Sequence, residues 1–430
     1  MTTSYDLTQT TFLFSWASNY TSSVKASTAQ DFATFEKMAL TTGGQWQPSG
    51  GAAIPVNGFL SSIGSQLIGA DWSIVWGPGV YLNPGDQVAT NTAFVAYSPS
   101  QDTYICAIAG TNRNSMFDWL DEDFAVGANL MVAFPVGISQ PPVGAAANAN
   151  VAQVSLGTAR GIYYLLTQLV DSSGAKLNLA SYLSSLTPKT GSTTSKVIFT
   201  GHSLGGALSP SLALQVLPSL ATWNKNGGQV CVLPLAGPSP GNGAFATQWG
   251  ASFGTPVNVT VNSGNQVTTL NQAYWNTYDV VPHAWTAIFA EFNKNCYFYG
   301  YNVLKAPHTI QCSVCTLANN PNIQPPQTLA NDMAGIGQTA QSNGNAGNMG
   351  DLPNRVGIAA SWPITYPTAS GYSTLQQPSM INTRQTFEQV AGLIHTWQYC
   401  NMFNIPVQNV PRAVPTSTTI AVETPELALA

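Results

Sequence analysis

Residues 196–216 run Lys-Val-Ile-Phe-Thr-Gly-His-Ser-Leu-Gly-Gly-Ala-Leu-Ser-Pro-Ser-Leu-Ala-Leu-Gln-Val. A β-branched and aromatic run, Val197 to Thr200, enters a Gly-x-Ser-x-Gly turn at Gly201 to Gly205, and an apolar, helix-like stretch leaves it. That order is the setting in which the pentapeptide becomes a nucleophile elbow. So tight a turn requires Gly201 and Gly205 to lack side chains, and it lifts the Ser203 hydroxyl clear of the sheet edge. The N–H of Leu204, at the helix start, then points to where a tetrahedral oxyanion would form.

The chain carries its own control. Gly237-Pro238-Ser239-Pro240-Gly241 also matches the pattern, yet it cannot be an elbow. The residue after the serine must donate a backbone N–H to the oxyanion, and Pro240 has none. Ser239 therefore reads as a loop serine.

A serine hydroxyl is a poor nucleophile until a base takes its proton, so a histidine held by a carboxylate is required. In elbow enzymes the order along the chain is Ser, acid, His. Of the acids after Ser203, only Asp279 directly follows a strand-like run, Tyr274 to Tyr278, which puts it at a strand's C-terminal end. Among the four histidines, His202 flanks the nucleophile and should pack rather than react. His395, late in the chain and flanked by Leu393, Ile394 and Trp397, best fits the base, with His308 and His283 as alternatives. The second oxyanion donor should come from the loop after an early strand, where Gly110 allows close approach and Thr111 offers an N–H and a hydroxyl.

Composition bounds the rest. A chain of 430 residues with 44% hydrophobic content can build a large core, and such a length serves a single domain with insertions. Charged residues make up only 7%, against roughly 25% in an average soluble protein, so Ser, Thr, Asn and Gln must cover the surface. A net charge of −5 without a basic run argues against nucleic acid and against a polybasic membrane anchor. Gly, Pro or Asn breaks every apolar stretch well short of the about 20 residues a transmembrane helix needs, so none is expected. The N-terminus lacks the basic and apolar regions of a signal peptide. That favours a cytosolic or unconventionally exported protein, or a chain whose leader has been removed, while the charge-poor polar surface leans towards life outside the cell.

Six cysteines are present, and Cys106 and Cys231 lie in apolar runs that read as buried strands. Cys312-Ser-Val-Cys315 is one pair without the further ligands zinc needs, so no metal is expected. A disulfide involving Cys296, Cys312 or Cys315 stays open.

Thr28 to Leu40 has the pattern of a capped helix, and Trp72 to Trp76, Thr92 to Tyr97, Tyr104 to Ala109 and Val230 to Leu235 read as strands. Val154 to Val170 reads as an amphipathic helix feeding the elbow strand, and Met380 to Ile394 as a further helix. No charge occurs from Phe124 to Ala159. The stretch from about 319 to 378 is rich in Asn, Gln, Gly and Pro and reads as an insertion or long ordered loop, while 411–430 reads as a disordered tail.

Four segments together resemble the class 3 lipases, the filamentous-fungal triacylglycerol lipase type of α/β hydrolase. They are Ala109-Gly-Thr111 with Phe117-Asp-Trp119-Leu-Asp-Glu-Asp123, then Thr200-Gly-His-Ser-Leu-Gly-Gly-Ala207, Leu235-Ala-Gly-Pro-Ser-Pro-Gly-Asn242, and Tyr278-Asp-Val-Val-Pro-His283. The likeness covers roughly residues 72–285 and, more loosely, the His395 region. It departs at Ala109, where the family carries Arg, and in a long insertion between acid and histidine, about 286–380. The resemblance implies a single α/β hydrolase domain over 1–410, with a mainly parallel central sheet flanked by helices and a lid candidate at 124–140. It implies that one aspartate of the cluster Asp118, Asp121, Glu122 and Asp123 braces the oxyanion loop rather than binding calcium. Asp279 would be the acid.

The function expected is carboxylic ester hydrolysis, most concretely of acylglycerols or similar lipid esters, at a lipid–water interface if the lid segment is apolar cover. Ser203 would be nucleophile, His395 base, Asp279 orienting acid, and Thr111 and Leu204 oxyanion donors. The chemistry requires no cofactor. A serine peptidase or amidase, and a catalytically silent lipid-binding protein of the same fold, are the two alternatives.

Overall fold

The computed structural model describes residues 4–110, 112, 125–189, 194–277, 279, 281–285, 342–358, 362–368, 371–376 and 392–414. Its centre is a seven-stranded sheet whose strands lie side by side in chain order. They are β1 (Ser73–Tyr81), β2 (Asn91–Ser98), β3 (Thr103–Ile108), β4 (Lys196–His202), β5 (Gln229–Leu235), β6 (Ala273–Asn276) and β7 (Arg355–Ile358). β1 to β3 form an antiparallel meander, and β3 to β7 run parallel. The strands expected from sequence fall within or across β1, β2, β3 and β5.

Parallel neighbours need crossovers, and these place helices over both faces of the sheet. On one face lie α1 (Leu7–Ala17) and α2 (Ala29–Leu40); on the other lie α3 (Leu156–Thr167), α4 (Leu204–Val216) and α5 (Gly243–Phe253). Alternate strand residues feed the two cores: Ile105, Ile198 and Leu233 face the first, and Cys106, Val197, Phe199 and Val232 the second. Burial on both sides explains why β3 to β5 read as continuous apolar runs rather than alternating ones.

Local signals hold where they were sharp. Thr28 caps α2, its hydroxyl accepting the Asp31 N–H at 3.0 Å, and Phe32, Phe35 and Ala39 are buried. The Val154 to Val170 helix is trimmed to α3, with Ser155 as its cap. The α1 helix had no sequence expectation. It starts from a capping box between Asp6 and Gln9 and buries its threonines as well as its phenylalanines, so its periodicity is faint.

Three regions carry structure that the sequence did not specify. Inside the candidate insertion, Arg355–Ile358 joins the central sheet as its edge strand, and Ile364–Thr368 pairs with Gly371–Leu375 as a hairpin. These strands are short and half exposed, which left little alternation to read. Of the lid candidate 124–140, residues 125–140 are described. There Met131–Ala133 pairs with Gln153–Ser155, and Met131, Phe134 and Val136 are buried, Phe134 edge-on to Phe245 at 4.9 Å. The start of the tail is ordered: Ala413 is buried, and its carbonyl accepts the Asn57 N–H at 2.7 Å.

Cys106, Cys231 and Cys400 are buried free thiols, and burial pushes the first two up to about 12. Cys296, Cys312, Cys315, the acidic cluster at 118–123 and most of the 380–394 helix lie outside the described residues. Among the described residues one helix, Leu204–Lys225, is long and apolar enough to cross a membrane by length and composition, but 72% of that window is buried within the fold. It is the core helix behind the elbow.

Candidate active site

The β4–α4 junction is where the backbone is most constrained. Ser203 adopts φ 61° and ψ −125°, a conformation that costs about 1–3 kcal/mol outside glycine and persists only when its surroundings impose it. They do so by close backbone packing. A Cβ on Gly201 would lie 2.7 Å from the Ile108 carbonyl, and one on Gly205 would lie 2.8 Å from the Ala109 carbonyl. The Ser203 N–H donates to the Leu235 carbonyl at 3.1 Å. Leu204 opens α4, so its N–H belongs to the first turn, whose donors have no intrahelical acceptor.

Gly110 presses against this turn: a Cβ there would stand 2.5 Å from the His202 carbonyl and 3.2 Å from the Ser203 Cβ. Its N–H donates to Asn19 Oδ1 at 2.8 Å, so the end of the N-terminal helical region holds the Gly110 turn. Thr111 itself lies outside the described residues.

Asp279 follows β6 by three residues and is buried. Its Oδ1 accepts the Val281 N–H at 3.1 Å. Its Oδ2 accepts twice at 2.8 Å, from the Tyr399 hydroxyl and from His395 Nδ1. With Nδ1 donating, the second ring nitrogen of His395 is left as the acceptor, and Nε2 is buried with no hydrogen-bond partner among the described residues. The arrangement is a carboxylate-oriented imidazole with its basic nitrogen free.

His202 joins this pair to the elbow. Its ring packs 4.6 Å from the His395 ring and meets Tyr399 edge-on at 5.0 Å. Burial above all, then the neighbouring His395, lowers its pKa to about 3, so it is neutral at working pH. It packs, as the sequence suggested.

The structure thus brings Asp279 and His395, 116 residues apart, into contact, and sets His395 against the residue preceding Ser203. Of the alternative histidines, His283 closes the turn Val281–His283 and His308 lies outside the described residues. Ser239 is a loop serine, as read from the sequence, and a buried one: its hydroxyl donates to Asp351 Oδ1 at 2.8 Å. Tyr399 and Asn19 escaped the sequence reading. Tyr399 was open to it, being four residues past His395 and so within one helical turn; Asn19 carried no signal.

Residues 139–288 match the family model for lipase (class 3). Over that third of the chain the sequence is similar to the class 3 lipases. In overall shape the chain is similar to M37 lipase, with a TM-score of 0.57 and 20% identity over 95% of this chain and 96% of that one. It also matches the triacylglyceride lipase of Rhizomucor miehei (21% identity, 51% and 63% covered, TM-score 0.32) and lipase II from Rhizopus niveus (21%, 50% and 60%, 0.30). No curated protein matches the chain. The fold is that of an α/β hydrolase, and the similarity of residues 139–288 to the class 3 lipases supports a carboxylic ester hydrolase.

Proposed function

We propose that the protein hydrolyses acylglycerols or similar lipid esters through an acyl-enzyme on Ser203. One observation carries the reading: the buried Asp279–His395 pair, with Nε2 unengaged, packs against the elbow that presents Ser203. In this mechanism His395 Nε2 takes the hydroxyl proton as Ser203 Oγ attacks the ester carbonyl carbon. The Asp279 carboxylate stabilises the imidazolium that forms, and His395 returns the proton to the departing alcohol. Water then attacks the acyl-enzyme with the same base, releasing the carboxylic acid and regenerating Ser203. The Leu204 N–H and Thr111 are the proposed oxyanion donors; the contact of Gly110 with Ser203 supports the second.

Lipid rather than small soluble esters is favoured by the surface. Leu130, Ile138, Val143 and Val151 are exposed large apolar side chains within the charge-free span 124–159. Exposed apolar side chains on a charge-free span suit contact with a lipid–water interface.

The test is an ester chain-length series run below and above substrate solubility, with a peptide panel alongside and fluorophosphonate labelling of Ser203. Ser203→Ala should lose labelling and, on the order of 10⁴–10⁶-fold, turnover. Substantial activity in that variant refutes the nucleophile, and cleavage of peptides in preference to esters refutes the substrate class.

A further inference from the structure

We infer that Arg355 is a positioning residue: with Asp351 and Ser239 it clamps the loop that carries Asp279 and so sets the geometry of the Asp279–His395 pair. The inference rests on the roles just proposed for those two residues.

Arg355 opens β7, beside β6, whose far end launches the acid loop. Its guanidinium pairs with Asp351 Oδ1 at 2.6 Å and donates through the other terminal nitrogen to the carbonyl of Pro282, three residues past Asp279. The Trp275 ring supports it at 5.0 Å. Asp351 Oδ1 in turn accepts the Ser239 hydroxyl at 2.8 Å, and the Ser239 N–H donates to the Ala284 carbonyl at 2.7 Å. The acid loop is therefore gripped at 282 by the arginine and at 284 by the serine, with Asp351 tying the two together.

The other end of the clamp reaches the nucleophile. Ser239 stands two residues past Gly237, and Gly237 packs so closely on α4 that a Cβ on Gly206 would lie 2.8 Å from its N–H nitrogen. The Gly-Pro-Ser-Pro-Gly segment, barred from catalysis by Pro240, thus finds a use as a stiff brace between the elbow helix and the acid loop. A planar guanidinium suits the task because it serves a carboxylate and a carbonyl at once in fixed directions, where an ammonium is a point charge on a flexible stem.

Arg355→Met tests this on a short soluble ester. It should lower kcat by about 10- to 100-fold with KM nearly unchanged, because a small misplacement of catalytic groups can cost that much. Ser239→Ala should move kcat in the same direction by less, and Arg355→Lys should recover part of the loss. In an Asp279→Asn background the same Arg355→Met change should cost at most about twofold, since a residue acting through Asp279 has nothing left to position. A merely structural arginine would cost as much in both backgrounds. An equal loss in both, or an unchanged kcat in Arg355→Met, overturns the proposal; if Arg355→Met does not fold, Arg355→Lys and Ser239→Ala are judged by the same two criteria. Proton NMR of Ser203→Ala protein supplies a readout independent of turnover. The low-field Nδ1 proton of His395 should shift or broaden when Arg355 is replaced, and an unmoved resonance overturns the clamp. Activity surviving in Ser203→Ala would defeat the hydrolase mechanism and leave the NMR result to judge the clamp alone.

Discussion

Acid should destabilise this protein through His202, and one substitution should remove that part of the sensitivity. The folded ring is enclosed by His395 and Tyr399, and burial followed by the His395 charge lowers its pKa from 6.5 to about 3. Between those values the unfolded ring is protonated and the folded ring is not. The unfolded state then binds more protons, so stability falls as pH falls, by about 1.4 kcal/mol per unit. The loss begins near pH 6.5 and ends near pH 3, where the folded ring also takes a proton. From pH 7 to pH 4 this group alone should cost about 3 kcal/mol. His202→Phe keeps an aromatic face against both neighbours and abolishes the titration. Urea unfolding of parent and variant at pH 7, 6, 5 and 4 tests this. The parent should lose about 3 kcal/mol more than the variant by pH 4. If both curves fall in parallel, His202 is not held neutral by the fold, and the reasoning is refuted.

Three further outcomes are expected. Tyr399→Phe removes the donor to Asp279 Oδ2 and the acceptor of the Asn276 N–H, both inside the core. It should lower stability by about 1.5–3 kcal/mol and reduce kcat, and an unchanged kcat on a soluble ester would show that Asp279 is held without it. Glu36, fully buried in α2, has its carboxyl raised well above 4.5 by burial, so above that pH the unfolded chain loses a proton the folded one keeps, and stability falls as pH rises. Glu36→Gln should therefore be the more stable form at pH 8, with the gap closing towards pH 4; a pH-independent gap in thermal unfolding contradicts this. Gly205→Ala places a Cβ 2.8 Å from the Ala109 carbonyl and should cost about 1–3 kcal/mol in stability, together with most fluorophosphonate labelling. Normal labelling would mean that the elbow yields more easily than its packing implies.

The features legible in the chain alone were those written within a few residues. A β-branched run, two glycines four apart and an apolar stretch suffice to mark the strand, the turn and the helix behind it, while the strained Ser203 conformation is held by the neighbouring strands. The Thr28 cap and the buried strand cysteines were readable for the same reason. Chain order narrowed the acid to Asp279 and favoured His395, but no local signal could join residues 116 apart; that contact exists only because the sheet and both helix layers pack as they do. Asn19 and Arg355 are ordinary residues in the sequence and meet the candidate site only through tertiary packing, whereas Tyr399 stood within one turn of His395 and could have been read. The edge strand Arg355–Ile358 was hidden similarly, since four residues of which only the last is buried carry almost no periodicity and become a strand by pairing with β6. Backbone conformation at a turn is decided by the side chains within it, whereas a hydrogen bond across the fold is decided by every contact that holds its two elements in place.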